Sequence, residues 1–273
     1  MRPVHAWLAL QAVTSREIAK FVRQGGRLAS ALVRPLLWLV VFAAGFQNVF
    51  GVSIIPPYDT YIPYQTYIVP GLLGMVLLFN GMQSSLAMVY DREMGVMRLL
   101  LTAPLPRWYL LLCKLLAGTL LSVLQAYVFL AIAALFEVGV PWSGWLYALP
   151  VLVLAGMMLG ALGLLLSVNI RQLENFAGTM NFVIFPMFFI SPALYPLWTL
   201  EESGARVIHF LATWNPFTHA VEAIRFALHG QVAVRSLAIV AGCLAAFFLL
   251  AAWGYDPQRG FGALSKRPGG GPA

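Results

Sequence analysis

The chain has 273 residues, 60% of them hydrophobic and only 10% charged, where an ordinary soluble domain carries about a quarter charged. So few charges cannot furnish a water-facing exterior for a fold of this size, so lipid must cover most of the surface. The net charge of +7 sits in segments flanking apolar runs, where orientation and anionic lipid account for it, and no basic patch interleaved with aromatics exists to bind nucleic acid.

Taken from the start, the chain shows no cleavable signal peptide, because a polar, basic stretch up to Arg34 precedes the first apolar run. The N-terminus is therefore expected in the cytoplasm. Within that stretch Trp7, Leu10, Ile18, Phe21 and Val22 share one helical face, and Arg16, Lys20, Arg23 and Arg27 share the other. This is the pattern of an interfacial helix lying on anionic lipid; the alternative is a solvated helix docked on another subunit.

Long gaps without a charged residue follow one another: Arg34 to Asp59, Asp59 to Asp91, Lys114 to Glu137, Glu137 to Arg171, Glu174 to Glu201 and Arg235 to Asp256. A helix needs roughly 20 residues to cross the hydrocarbon, so the gaps predict six spans at about 29–50, 66–90, 108–136, 145–169, 174–198 and 234–254. The expected fold is all-α and polytopic, one transmembrane domain over 1–264 followed by a Gly- and Pro-rich tail, 265–273, expected to be disordered. With the N-terminus inside, every Lys and Arg falls on the inner side except Arg206, Arg225 and Arg235. That asymmetry sets the expected orientation, with both ends cytoplasmic.

Two segments depart from the plain pattern. Pro186, Pro192 and Pro196 crowd the outer half of the fifth span, and each removes a backbone donor and favours a kink or an early helix end. The stretch from Glu201 to Arg235 is too polar to span and too apolar to float free, so it is expected to form short re-entrant helices in the outer leaflet, lying against protein or a cavity. Earlier in the chain, the outer loop 51–65, with Pro56, Pro57, Tyr58, Tyr61, Pro63 and Tyr64, suits a rigid connection at the interface.

The inner loop between the second and third spans carries Asp91, Arg92, Glu93 and Arg98 around Met94, Met97 and Leu101, and ends at Pro104 and Pro106. Its helical spacing predicts a short amphipathic helix at the inner surface. Such a helix could pass force from a soluble partner into the spans, or simply rest on the membrane. Glu93-Met94-Gly95, followed by Arg98-Leu99-Leu100-Leu101-Thr102-Ala103-Pro104 and Lys114-Leu115-Leu116-Ala117, resembles the inner loop of the ABC-2 type exporter permeases. Asn215-Pro216-Phe217-Thr218-His219-Ala220-Val221-Glu222-Ala223-Ile224-Arg225 is similar to that family's Asn-Pro stretch before the last span. Ala103 departs from the pattern, since many relatives have threonine directly before the proline. Among permeases for drugs, lipo-oligosaccharides and polysaccharides, the chain looks most like those accompanying periplasmic quinoprotein alcohol oxidation.

The resemblance implies a permease that pairs with a second copy, each copy resting on a cytoplasmic ATP-hydrolysing subunit that holds the ATP and Mg. It makes Asp91, Arg92, Glu93, Gly95 and Arg98 the coupling segment and Asn215, Pro216, His219, Glu222 and Arg225 the outer re-entrant motif. The residues independently point to an energy source elsewhere, because the chain has no Gly-x-x-x-x-Gly-Lys-Ser/Thr phosphate loop and no Gly-Lys pair at all. No cofactor or metal is expected on the chain itself: Cys113 and Cys243 are isolated, and only His219 and Glu222 share a turn.

Inside the spans, Asn80, Gln83 and Ser84 share a face of the second, and Thr179 and Asn181 lie in the fifth. They either bond neighbouring helices or line a substrate path. Gly156, Gly160 and Gly163 in the fourth span either allow close helix packing or form a hinge. The expected function is the permease subunit of an ATP-driven exporter for an amphipathic or lipid-linked substrate. A non-transporting six-span scaffold or sensor is the rival. An intramembrane enzyme would need convergent ionisable groups that the spans lack.

Overall fold

A computed structural model describes residues 3–23, 25–46, 56–58, 62–94, 106–136, 139–170 and 172–255, and these form ten α-helices with no strand among them. They are α1 (Pro3–Arg23), α2 (Gly25–Phe46), α3 (Tyr64–Glu93), α4 (Arg107–Leu135), α5 (Trp142–Asn169), α6 (Leu173–Phe189), α7 (Leu197–Glu202), α8 (Arg206–Trp214), α9 (Pro216–Leu228) and α10 (Val234–Gly254). The tail 265–273 and most of the inner loop, including Gly95 and Arg98, lie outside the described residues, as do the last four residues of the expected first span.

Prolines set where the long helices begin. Pro63, Pro106 and Pro141 immediately precede α3, α4 and α5 in extended geometry. Each lacks an N–H that would go unused there, while its carbonyl accepts the first helical bond, as in Thr66 N to Pro63 O at 3.0 Å.

Four helices are long and apolar enough to cross a bilayer: α3, α4, α5 and α10. Two others fall short of that standard. In α2 the apolar run covers Leu32–Val41; Leu32, Pro35 and Leu39 turn inward while Val33, Leu37, Val40 and Val41 face out. The fifth expected span, 174–198, is not one helix: α6 stops at Phe189 after 17 residues, residues 190–195 turn, and α7 starts after Pro196. Pro192 and Pro196 cannot donate to the preceding turn, so the helical ladder cannot continue through them.

Helix α3 is the centre of the bundle. It packs against α2, α4, α5, α6 and α9, and 72% of its apolar window is buried against 11% for α10. Helix α10 therefore presents most of its surface outward, while α3 is enclosed by protein. The core runs along Ile68, Leu72, Leu73 and Leu77 of α3, Phe129 of α4, Leu152 and Leu159 of α5, Phe188 of α6 and Phe217 of α9.

Lipid tails are as apolar as leucine, so helices in a bilayer gain by close packing more than by burial from water. The contact of α3 with α5 shows it. A methyl group added at Gly81 would stand 3.0 Å from the Gly160 nitrogen, and one at Gly163 would press on the Gly81 carbonyl at 3.1 Å. The glycines of α5 thus serve as the surface on which α3 lies. Gly81→Leu is expected to cost about 2 kcal/mol by overpacking this crossing, read as a lowered unfolding midpoint in mild detergent; an unchanged midpoint would show that the two backbones do not meet there.

Candidate functional site

Polar side chains gather in three places along α3, at its charged end, along its middle and at its aromatic end. At the charged end Asp91 is buried on the last turn of α3. Its carboxylate accepts from Lys114 Nζ of α4 at 2.7 Å and from Arg16 Nη2 of α1 at 3.3 Å. One acid thus ties three helices together, and a buried acid with two cations is costly to break. Arg92 of the same turn places its guanidinium 5.1 Å from the Tyr255 ring, joining the end of α10 to the group, whereas Glu93 is exposed.

Two expectations change here. Asp91, Arg92 and Glu93 belong to α3 itself, not to a separate surface helix, because helical geometry carries on through Glu93 before the turn at Met94. Arg16 turns towards Asp91 instead of joining a purely lipid-facing basic row, while Trp7, Leu8 and Ile18 of α1 remain exposed. Arg23 is exposed, and the side chains of Lys20 and Arg27 lie outside the described residues.

Along the middle of α3, Asn80, Gln83 and Ser84 line a cavity of about 70 Å³ with Glu17 of α1 and Lys114 and Ser122 of α4. Asn80 and Gln83 also line its neighbour of about 80 Å³, which Arg34 and Phe79 complete, the Arg34 guanidinium lying 3.9 Å from the Phe79 ring centre. Asn80 donates to the Gln125 side chain of α4, so this residue does bond a neighbouring helix. Gln83 and Ser84 face the cavity. Gln125, buried in an apolar helix, escaped a reading keyed to charges; a search of the spans for amide side chains would have found it.

Thr179 and Asn181, the two path candidates on α6, are not part of that groove. Thr179 hydrogen-bonds back to the Asn175 carbonyl at 2.8 Å, and Asn181 lies exposed beside Phe182 and near Phe185.

The aromatic end repairs the break after α6. A helix that stops inside lipid leaves carbonyls without partners, and each costs free energy unless a donor reaches it. Asn215 supplies two: its Nδ2 donates to Met187 O and Ile190 O, both at 2.7 Å, while its Oδ1 accepts from Phe217 N at 3.0 Å. One amide therefore closes the C-terminus of α6 and caps the N-terminus of α9, and Pro216 fits the first turn because its missing N–H is not needed there. Tyr64 of α3 donates to Leu194 O at 2.6 Å, Tyr67 to Pro192 O at 3.1 Å, and Arg225 Nη2 of α9 to Pro192 O at 2.6 Å.

Arg225 is buried, its guanidinium 4.1 Å from the Tyr67 ring centre. Glu222, one turn earlier, accepts from Ser236 Oγ of α10 at 2.9 Å, and His219 Nδ1 stands 3.9 Å from the same carboxylate. His219 Nε2 donates to Thr213 O at 3.1 Å. Tyr58, in the connection before α3, is buried beside this group; burial pushes its phenol up to about 12 despite the opposing pull of Arg225, so it stays a neutral donor at physiological pH. The five residues of the expected outer motif thus run along α9, from its N-cap at Asn215 to Arg225 in its last turn, whereas the roles of Tyr64, Tyr67 and Ser236 were not visible beforehand.

An all-helical bundle with four bilayer-length helices, a polar groove and a helix break sealed by side chains has the character of an integral membrane protein. The ABC-2 type transporter family matches residues 8–229, and the chain belongs to that family. It is 23% identical to the inner membrane transport permease YadH of Escherichia coli strain K12, over 95% of this chain and 98% of that protein. It is 29% identical to the putative transport permease ycf38 of Porphyra purpurea, over 80% of this chain and 72% of the relative. Nodulation protein J of Rhizobium leguminosarum bv. viciae matches a shorter part, 31% identical over 33% of each.

The Asn215 arrangement yields a graded expectation. Asn215→Ser keeps a capping oxygen for α9 but is too short to reach α6, so it should cost about 2 kcal/mol through the two carbonyls left unpaired, and Asn215→Ala about 1 kcal/mol more through the lost cap. Unfolding midpoints of the three proteins in mild detergent check this; a serine variant as stable as the parent would mean that Nδ2 holds nothing at the end of α6.

Proposed function

We propose that the chain is the permease subunit of an ATP-driven exporter, moving an amphipathic or lipid-linked substrate across a bacterial cytoplasmic membrane while a separate subunit binds ATP and Mg and hydrolyses it. The observation that carries this reading is the family match over residues 8–229, together with near full-length similarity to an inner membrane transport permease.

The orientation follows the basic residues: the Asp91 end faces the cytoplasm and the Asn215 end the exterior, with both termini inside. Six crossings require α2 and α6 to traverse with the other four. The 17 residues of α6 rise about 25 Å at 1.5 Å each, close to the roughly 30 Å of hydrocarbon, and the side-chain-bonded turn beyond Phe189 supplies the remainder.

A second copy of the chain accounts for the outward face of α6. Asn181 stands exposed among Phe182, Phe185 and Phe189, and an amide facing lipid alone lacks the partner that another helix would provide. The groove along Asn80, Gln83 and Ser84 is the substrate-path candidate on each copy.

In this reading the ATPase partner grips the inner loop that holds Gly95 and Arg98, with Glu93 at its threshold. Force reaching Glu93 enters α3 directly, and the Asp91 contacts with Lys114 and Arg16 make α1, α3 and α4 move together. A scaffold or sensor of the same architecture would have no use for an ATPase partner. Co-purification separates the two, since the exporter brings an ATP-binding subunit in equal amount.

The test uses the permease reconstituted with its ATPase partner in vesicles. Lipids or glycolipids should stimulate ATP hydrolysis in the parent complex, and Glu93→Ala, at an exposed position, should assemble normally yet lose at least about fivefold of that stimulation, the scale of a coupling free energy. Undiminished stimulation in the variant would contradict the coupling role, and stimulation by hydrophilic solutes alone would contradict the substrate class.

A further inference from the structure

Between the Tyr58 connection, the turn after α6 and α9 lies a cavity of about 150 Å³ that the transport reading does not use. Pro56, Tyr58, Tyr67, Pro192, Trp198, Glu222 and Arg225 are among the residues lining it. Pro56 and Trp198 are exposed and form its rim, while Tyr58, Tyr67 and Arg225 are buried and form its floor. An apolar cavity of this size admits a molecule as large as benzene, so one phosphate group fits.

The floor holds unspent donors. Arg225 uses Nη2 on Pro192 O and its face on Tyr67, but its Nε is buried with no hydrogen-bond partner. The Tyr58 hydroxyl is buried beside the same guanidinium, which can only donate to it, and finds no acceptor for its own hydrogen. Buried donors left open are costly and uncommon, and both of these belong to residues that line the one cavity. No carboxylate lies within ion-pair distance of Arg225 among the described residues. Glu222 acts on it from further off and spends one oxygen on Ser236.

We propose that this cavity is a binding site for a single phosphate group, free or at the head of a lipid, with Arg225 and Tyr58 donating to its oxygens. Arginine suits the role because its donors are fixed in a plane and its charge does not titrate away. Glu222, three residues before Arg225 on α9 and also lining the cavity, limits the bound charge. A singly charged phosphate retaining one P–OH satisfies both groups, accepting from Arg225 and Tyr58 and donating to the carboxylate, whereas a fully ionised group would be repelled. Trp198 at the rim offers an apolar surface to whatever carries the phosphate. The site lies at the opposite end of α3 from Asp91 and needs no partner subunit, so its binding can be measured on the purified full-length chain, whatever the outcome for transport.

The experiment follows the unfolding midpoint of that chain in a neutral maltoside detergent with inorganic phosphate or dihexanoyl phosphatidic acid. Sodium chloride at equal ionic strength and dihexanoyl glycerol are the controls. A ligand bound to the folded state raises the midpoint with its concentration. Tyr58→Phe, which removes one hydroxyl and no volume to speak of, should leave the ligand-free midpoint in place and weaken the apparent affinity about tenfold, the worth of one hydrogen bond to a charged group. Arg225→Gln should abolish the shift. If both compounds act on the parent and lose their effect in Tyr58→Phe, the site recognises phosphate itself; if only phosphatidic acid does, the natural source is a lipid headgroup. No shift with either compound, or a shift of equal size in the parent and in Tyr58→Phe, overturns the proposal.

Discussion

Backbone carbonyls in hydrocarbon must find donors within the protein, and the turn after Phe189 is where this chain meets that requirement by means other than helix. Two prolines break the ladder, and the carbonyls of Met187, Ile190, Pro192 and Leu194 are taken by Asn215, Arg225, Tyr64 and Tyr67. Those donors come from α3 and from α9 with its N-cap residue, so the turn after α6 ties α9 to the central helix. Without those donors the end of α6 and the turn beyond it would carry unpaired carbonyls.

The same central helix carries the opposite polar group. Asp91 on its last turn gathers Lys114 and Arg16, Tyr64 and Tyr67 on its first turn hold the broken segment, and between them Gly81 lies against the α5 backbone. A rigid rod fixed at both ends and closely packed in the middle moves as a body. In the proposed exporter, displacement at the cytoplasmic end would then be felt at the outer end without any side chain changing partner along the way.

The long helices were legible because bilayer thickness fixes the spacing of charges. The expected 66–90, 108–136, 145–169 and 234–254 correspond to Tyr64–Glu93, Arg107–Leu135, Trp142–Asn169 and Val234–Gly254. Charge spacing could not find the end of α6, since the gap runs on from Glu174 to Glu201 through the prolines that stop the helix. Nor could it tell that Asp91 is a buried hub: its partners lie 23 and 75 residues away in sequence, and a charge beside a loop looks the same whether it faces water or a neighbouring helix. The Asn215-Pro216 pair was recognisable as a motif, but its purpose needed the carbonyls of a different helix. Gln125 and Ser236 were silent because neutral polar residues do not interrupt an apolar run.

The proposed export function requires the Asn215 end to face the exterior and the Asp91 end the cytoplasm. In a chain with Cys113 and Cys243 replaced, single cysteines at Ser203, in the exposed turn before α8, and at Glu93 can be challenged in intact cells with a membrane-impermeant thiol reagent. The account predicts labelling at position 203 in intact cells and at position 93 only after the membrane is opened. Labelling at 93 with protection at 203 would contradict it.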